Sequence, residues 1–94
     1  MYEGLNSKQL ELMRSIEDNL QDEVIRLVKI ERVDPNFTTN NIVNSPIYLA
    51  IHNNNYGIAK WLIEEGGVKV DKKTFEWAGI CGNPSICKLL LNKI

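Results

Sequence analysis

Two stretches of this chain, Pro46-Ile47-Tyr48-Leu49-Ala50 and Thr74-Phe75-Glu76-Trp77-Ala78, align at an offset of 28 residues, and the match runs on past them. Ala50 meets Ala78, Asn55 meets Asn83, Ile58 meets Ile86, Lys60 meets Lys88 and Leu62 meets Leu90. Backwards along the chain, Val24-Ile25-Arg26-Leu27-Val28 falls on Ile58-Ala59-Lys60-Trp61-Leu62 at an offset of 34, with one residue of slippage left open. Self-similarity at such a period marks one supersecondary unit built several times, each burying its apolar face on its neighbours. The set Leu49, Ile51, Ile58, Leu62 and Ile63 therefore has to stack on Val24, Leu27 and Val28 on one side. On the other it meets Phe75, Trp77, Ile86 and Leu90.

Each unit reads as a pair of short helices. Asn6 with Gln9 approximates a capping box ahead of Leu10, Met13 and Ile16 at helical spacing. Asn19 is expected to cap a second helix carrying Leu20, Val24, Leu27 and Val28, which must stop before Val33-Asp34-Pro35-Asn36. The polar stretch 36–44 reads as an exposed loop. Ser45-Pro46 starts a third helix, serine capping and proline losing no hydrogen bond at the first position. Asn54-Asn55 turns the chain into a fourth, with Ile58, Ala59, Leu62 and Ile63 on one face, and Gly66-Gly67 ends it. Asp71 caps a fifth helix that Gly82 stops, and Asn83-Pro84 repeats the cap-plus-proline start for a sixth. No useful strand-like alternation occurs, so an all-α fold of three helical hairpins is expected.

On these residues the chain resembles the ankyrin-repeat family. Ser45-Pro46-Ile47-Tyr48-Leu49-Ala50 is similar to the T-P-L-H-x-A signature, and residues 58–67 look like the second helix and glycine stop that follow it. Val33-Asp34-Pro35-Asn36 is similar to the lead-in to that family's finger hairpin. The resemblance covers about residues 10–94 and implies an α-solenoid of about three stacked units, approximately 6–36, 37–71 and 72–94, within one domain spanning 1–94. An offset of 28 instead of the family's 33 implies a shortened finger between the last two units, where Asp71-Lys72-Lys73 joins Val70 to Thr74. Tyr48 and Glu76 stand where the signature has histidine.

The resemblance further implies a non-catalytic module that binds a partner protein through its finger and the inner face of its first helices. Carried over residue by residue, those positions are Asn40, Asn41, Ile42 and Asn44 on the finger, with His52 and Asn53 on the adjoining helix. In the last unit only Ile80 and Cys81 correspond. Asn offers two donors and an acceptor, Phe37 or Ile42 supplies an apolar anchor, and the Tyr48 hydroxyl is placed to bond a neighbouring loop as the replaced histidine would. A dedicated inhibitor or immunity protein for one enzyme or toxin, and a host-directed viral or microbial protein, are the alternative expectations. Four or five apolar groups over residues 86–94 exceed what one neighbouring helix covers. Ile86, Leu89, Leu90 and Ile94 are accordingly expected to pair with a second copy or a partner.

Composition narrows the remaining classes. The 11 basic and 12 acidic residues leave a net charge of −1, which is not the basic stripe of a nucleic-acid module or a polybasic membrane anchor. Residues 1–34 hold 5 basic and 8 acidic groups and residues 35–94 hold 6 and 4, and neither balance is extreme. No apolar run nears the ~18 residues of a bilayer span and Met1-Tyr2-Glu3-Gly4 lacks signal-peptide character, so a cytoplasmic location is expected. The 11 Asn and 11 Ile hint at an A+T-rich genome. His52 is the single histidine, exposed or in contact with a partner, with no second ligand at metal spacing. Cys81 and Cys87 do not form C-x-x-C, and Cys87 reads as a buried thiol with Cys81 partly exposed. Trp61 and Trp77 read as core. Glu17, Asp18, Asp22 and Glu23 form either a solvated face or a contact for a basic partner. No nucleophile–base set, phosphate loop, metal or cofactor site can be assembled.

Overall fold

Six helices and no strand make up the described residues, 4–38 and 45–93, of the computed structural model. They are α1 (Ser7–Glu17), α2 (Gln21–Ile25), α3 (Pro46–His52), α4 (Tyr56–Glu64), α5 (Lys72–Ile80) and α6 (Pro84–Leu91). α2 runs straight on into a wider π turn over Arg26–Ile30. Successive pairs α1–α2, α3–α4 and α5–α6 pack as hairpins. First helices then stack on first helices, and α2, α4 and α6 on one another.

Local chemistry starts each first helix. Asn6 and Gln9 exchange side chain-to-backbone bonds of 2.8 and 3.0 Å, the expected capping box. The Ser45 hydroxyl accepts from Tyr48 N–H at 3.2 Å with Pro46 at the first position. Asp71 Oδ1 accepts from Thr74 N–H at 3.0 Å, and Thr74 Oγ1 accepts from Asp71 N–H at 3.4 Å.

The three hairpin turns are copies of one geometry. Asn19, Asn54 and Gly82 adopt φ of 55°, 55° and 71°. The next residue's N–H then reaches back to the first helix, in the bonds Leu20 to Ser15 O, Asn55 to Ala50 O and Asn83 to Ala78 O. This pattern closes a helix with a left-handed residue, which asparagine and glycine tolerate best. Asn19 is therefore the left-handed stop of α1 and not the cap of α2; Leu20 holds that position without a side-chain bond. The turns also set the register at 35 residues between the first two units and 28 between the last two. The open slippage thus resolves to 35, which places Leu27, Leu62 and Leu90 at one level, all fully buried.

Side-chain amides join the units. Asn55 Nδ2 donates to Ile16 O at 2.9 Å, and Asn83 Nδ2, itself buried, donates to Ile51 O at 2.6 Å. The reading of Asn83 as a helix cap is corrected by this bond: no side-chain cap bond is made to α6, because the amide is spent on the preceding unit. Ala50 and Ala78, both fully buried, let the paired helices approach. Ile86 and Leu90 are likewise fully enclosed and Leu89 is buried. They face the interior, so the assignment of these three to self-association is corrected. Ile94 lies outside the described residues.

The connection after α4 is short. Gly67, Val68, Lys69 and Val70 lead directly to the Asp71 cap, and Asn36 stitches them to the finger base by donating to Gly67 O (3.0 Å) and accepting from Lys69 N–H (2.9 Å). In the first unit Arg32 takes φ 60° at the level where the second has Gly67 at 77°. A left-handed conformation costs a side-chain-bearing residue about 1–2 kcal/mol, against about 0.5–1 kcal/mol of extra chain entropy for glycine. We expect Arg32→Gly to stabilise the fold by up to about 1 kcal/mol, seen as a higher urea midpoint with unchanged slope.

Candidate functional site

The inner side of the stack is built by the first helices, and its centre is aromatic. Tyr48 and His52, one turn apart on α3, both lie against the indole of Trp77 on α5. Ring centroids are 5.3 and 6.1 Å apart and interplanar angles 15° and 21°. Trp77 Nε1–H donates to Tyr48 O at 3.0 Å, which satisfies the indole's one donor while its face stays on the rings. The bond found here runs from indole to backbone, whereas the expectation rested on the Tyr48 hydroxyl. Trp77, expected as core, is half-buried and forms this shelf.

Register explains which residues share the row. Glu17, His52 and Ile80 occupy one level of the three first helices, and Met13, Tyr48 and Glu76 the next. Glu17 and His52 are exposed, and Ile80 is 77% exposed, the barest large apolar side chain described. Asn53 is exposed at the end of α3. Cys81, placed on the same surface by resemblance, is half-buried, and burial raises its thiol pKa. Cys87 is also half-buried and not enclosed as expected, and both thiols are free.

Beside the aromatic shelf, a cleft of about 260 Å³ opens between the finger base and the start of α3 and α5. Half-buried Phe37 lines it with Ile47, Tyr48, Val68, Asp71 and Thr74. Asn40, Asn41, Ile42 and Asn44 lie outside the described residues. Burial raises the Tyr48 pKa, reinforced by the charges of Asp71 and Glu76. The Asp71 carboxylate is held below its ordinary value by the Thr74 N–H and hydroxyl.

The acidic residues of the first hairpin are not one free cluster. Arg26 pairs with Glu11 (3.0 Å), Glu23 (2.8 Å) and Glu31 (2.8 Å), and Lys8 joins Glu31 at 3.2 Å. The Arg26 hydrogen bonds keep the Glu23 pKa low. Among the described residues no three His, Cys, Asp or Glu side chains gather as a metal would need. No described helix is long and apolar enough to cross a membrane.

Three stacked helical hairpins with repeated left-handed turns and amide bonds between units define a helical repeat solenoid. A family model for ankyrin repeats, in three copies, matches residues 12–94, and the chain belongs to the ankyrin-repeat family. Ankyrin repeats are protein–protein interaction modules, and the family is generally non-catalytic. Among curated proteins and among solved structures, none matches the chain significantly.

Asp71 and Glu23 bind protons less readily folded than unfolded. Their contribution is full above an unfolded carboxylate pKa of about 4 and is lost as pH falls through their lower folded values. Asp71→Ser keeps a cap acceptor but removes the titration. We expect the variant to lose less stability than the parent between about pH 5 and pH 2, measured by denaturant midpoints across that range.

Proposed function

We propose that this protein is a small binding module whose contact surface is the inner face centred on Tyr48, His52 and Trp77. Ile80 and Glu76 continue that surface on the last unit, and Phe37 and Asn53 form its rim; the resemblance adds Asn40, Asn41, Ile42 and Asn44 to the proposed contact residues. The observation that carries this reading is the half-exposed aromatic shelf bridging two units beside a bare isoleucine. Aromatic side chains present large contact area at small entropic cost, and binding energy concentrates on such residues. Tyr48 and His52 are already stacked against Trp77, so little ordering is left for association to impose. The approximate units 6–36, 37–71 and 72–94 of a single domain are part of the same proposal. An inhibitor or immunity role, or a host-directed one, would use this face equally; stoichiometric loss of one enzyme's activity would mark the first.

A photo-crosslinking residue at His52 is expected to capture a protein partner that the same residue at exposed Lys60 does not. With that partner in hand, Ile80→Asp should weaken binding by about 10-fold or more and leave the thermal midpoint within ~2 °C of the parent, since Ile80 is already solvent-exposed. Equal capture from Lys60, or unchanged affinity for Ile80→Asp and His52→Ala together, would move the surface elsewhere.

A further inference from the structure

We propose that the inner face takes hold of its protein partner by an arginine side chain, received where the aromatic shelf meets the cleft beside Tyr48 and faced by Glu76 and Asp71. The inference rests on the reading of that face as the contact surface and adds the chemistry of the group it receives. The place lies between the second and third units. Repeats contact only their neighbours along the stack, so further units at either end leave it open.

The shelf itself selects a cation. Trp77 Nε1–H is spent on Tyr48 O at 3.0 Å, so the indole has no donor left and recognises through its π face alone. Tyr48 and Trp77 are half-buried and stacked at 15°, a flat aromatic surface beside the cleft that Tyr48 also lines. An aromatic face carries negative potential and attracts a cation lying over it.

Carboxylates supply the rest. Glu76 is exposed on the level of Tyr48, and among the described residues it enters no ion pair, although Lys72 and Lys73 precede it by one turn of α5. Asp71 lines the cleft and keeps its charge, since the Thr74 N–H and hydroxyl hold its carboxyl below the ordinary value. Lys69 lines the cleft too. The charges that act on the Tyr48 hydroxyl are nevertheless the two carboxylates: burial first, then Asp71 and Glu76, raise its pKa. The acids of the first hairpin are in the opposite condition, with Glu11, Glu23 and Glu31 all bound to Arg26.

Size and shape narrow the cation to arginine. The cleft's volume of about 260 Å³ is below the ~300–1,000 Å³ of small-molecule sites and admits one long side chain. A phosphate or other anion meets two carboxylates there. A lysine ammonium is a compact, strongly hydrated point charge. A guanidinium is planar and more weakly hydrated, and it lies on a ring while its edge donates to a carboxylate.

The test is a chemical-shift titration of the isotope-labelled chain with N-acetyl-arginine amide, N-acetyl-lysine amide and N-acetyl-citrulline amide, the last a neutral isostere of the first. We expect the arginine probe to move the Trp77 indole N–H and the amides of Tyr48 and Glu76, with a dissociation constant of about 1–10 mM. The lysine probe should bind about 3-fold or more weakly, and the citrulline probe should leave these signals in place. Glu76→Gln/Asp71→Asn, in which asparagine keeps the α5 cap, should weaken arginine binding about 5-fold or more. Should that double variant not fold, Glu76→Gln alone, a change at an exposed position, should weaken it about 3-fold. Equal binding of lysine or citrulline, shifts confined to the first hairpin, or no saturable shift at Trp77 below about 50 mM would overturn the assignment. Partner capture from His52 with the arginine probe silent at Trp77 would overturn this inference alone, whereas equal capture from Lys60 would overturn the surface on which it rests. A dimer of the unaltered chain that Glu76→Gln dissociates would place the arginine on a second copy and overturn its assignment to a partner.

Discussion

Each unit of this protein is joined to the one before it through the last turn of that unit's first helix. There a carbonyl oxygen already holding the turn receives a second donor: Ile16 O from Asn55 and Ile51 O from Asn83. A carbonyl has two lone pairs, and burying one unpaired costs the desolvation penalty of the group. The left-handed residues Asn19, Asn54 and Gly82 matter for this reason. By reversing the chain at one fixed point they bring the following residue's side chain to the preceding unit. Stacking of the buried apolar levels at Leu27, Leu62 and Leu90 then follows from the same register.

The two ends of the stack are finished differently. At the front, Glu23 replaces the isoleucine of the later units and is absorbed into a network of Arg26, Glu11, Glu31 and Lys8. A polar outer face of this kind keeps a helical unit soluble where no further unit stacks on it. In the last unit the levels that hold Ile47 and Ile63 in the middle unit hold Phe75 and Leu91, and among the described residues no ion pair joins the side chains there. With about three repeats as the minimum for stability, the faces between the described units are all in use.

Much of the architecture was legible in the chain because the helix signals are strong and local. Asn6 with Gln9, Ser45-Pro46 and Asp71 all cap as their types suggest. The misreadings arose where one residue type serves two purposes. An asparagine before a helix is equally a cap and a donor to a neighbour, and at Asn83 only the tertiary structure decides. Asn19 sits at a left-handed stop for the same reason, a short polar side chain being at home in either place. Counted along the helix alone, the apolar run of α6 exceeds what one neighbouring helix covers. In the stack Ile86 and Leu90 are consumed by the interior and only Leu91 is left out. Trp77 was hidden as an ordinary core aromatic because its partner Tyr48 lies 29 residues away, one off the repeat of 28.

Native-state hydrogen exchange of the chain beside Asn83→Ala measures the coupling between units. Core amides of α1, α4 and α6 are expected to share one opening free energy in the parent. All three should fall together when the buried amide is removed, because two units fall short of the minimum that stands alone. A loss of protection confined to α5 and α6, with α1 through α4 unchanged, would contradict it: the first two units would then be a self-sufficient domain and the third a dispensable appendage.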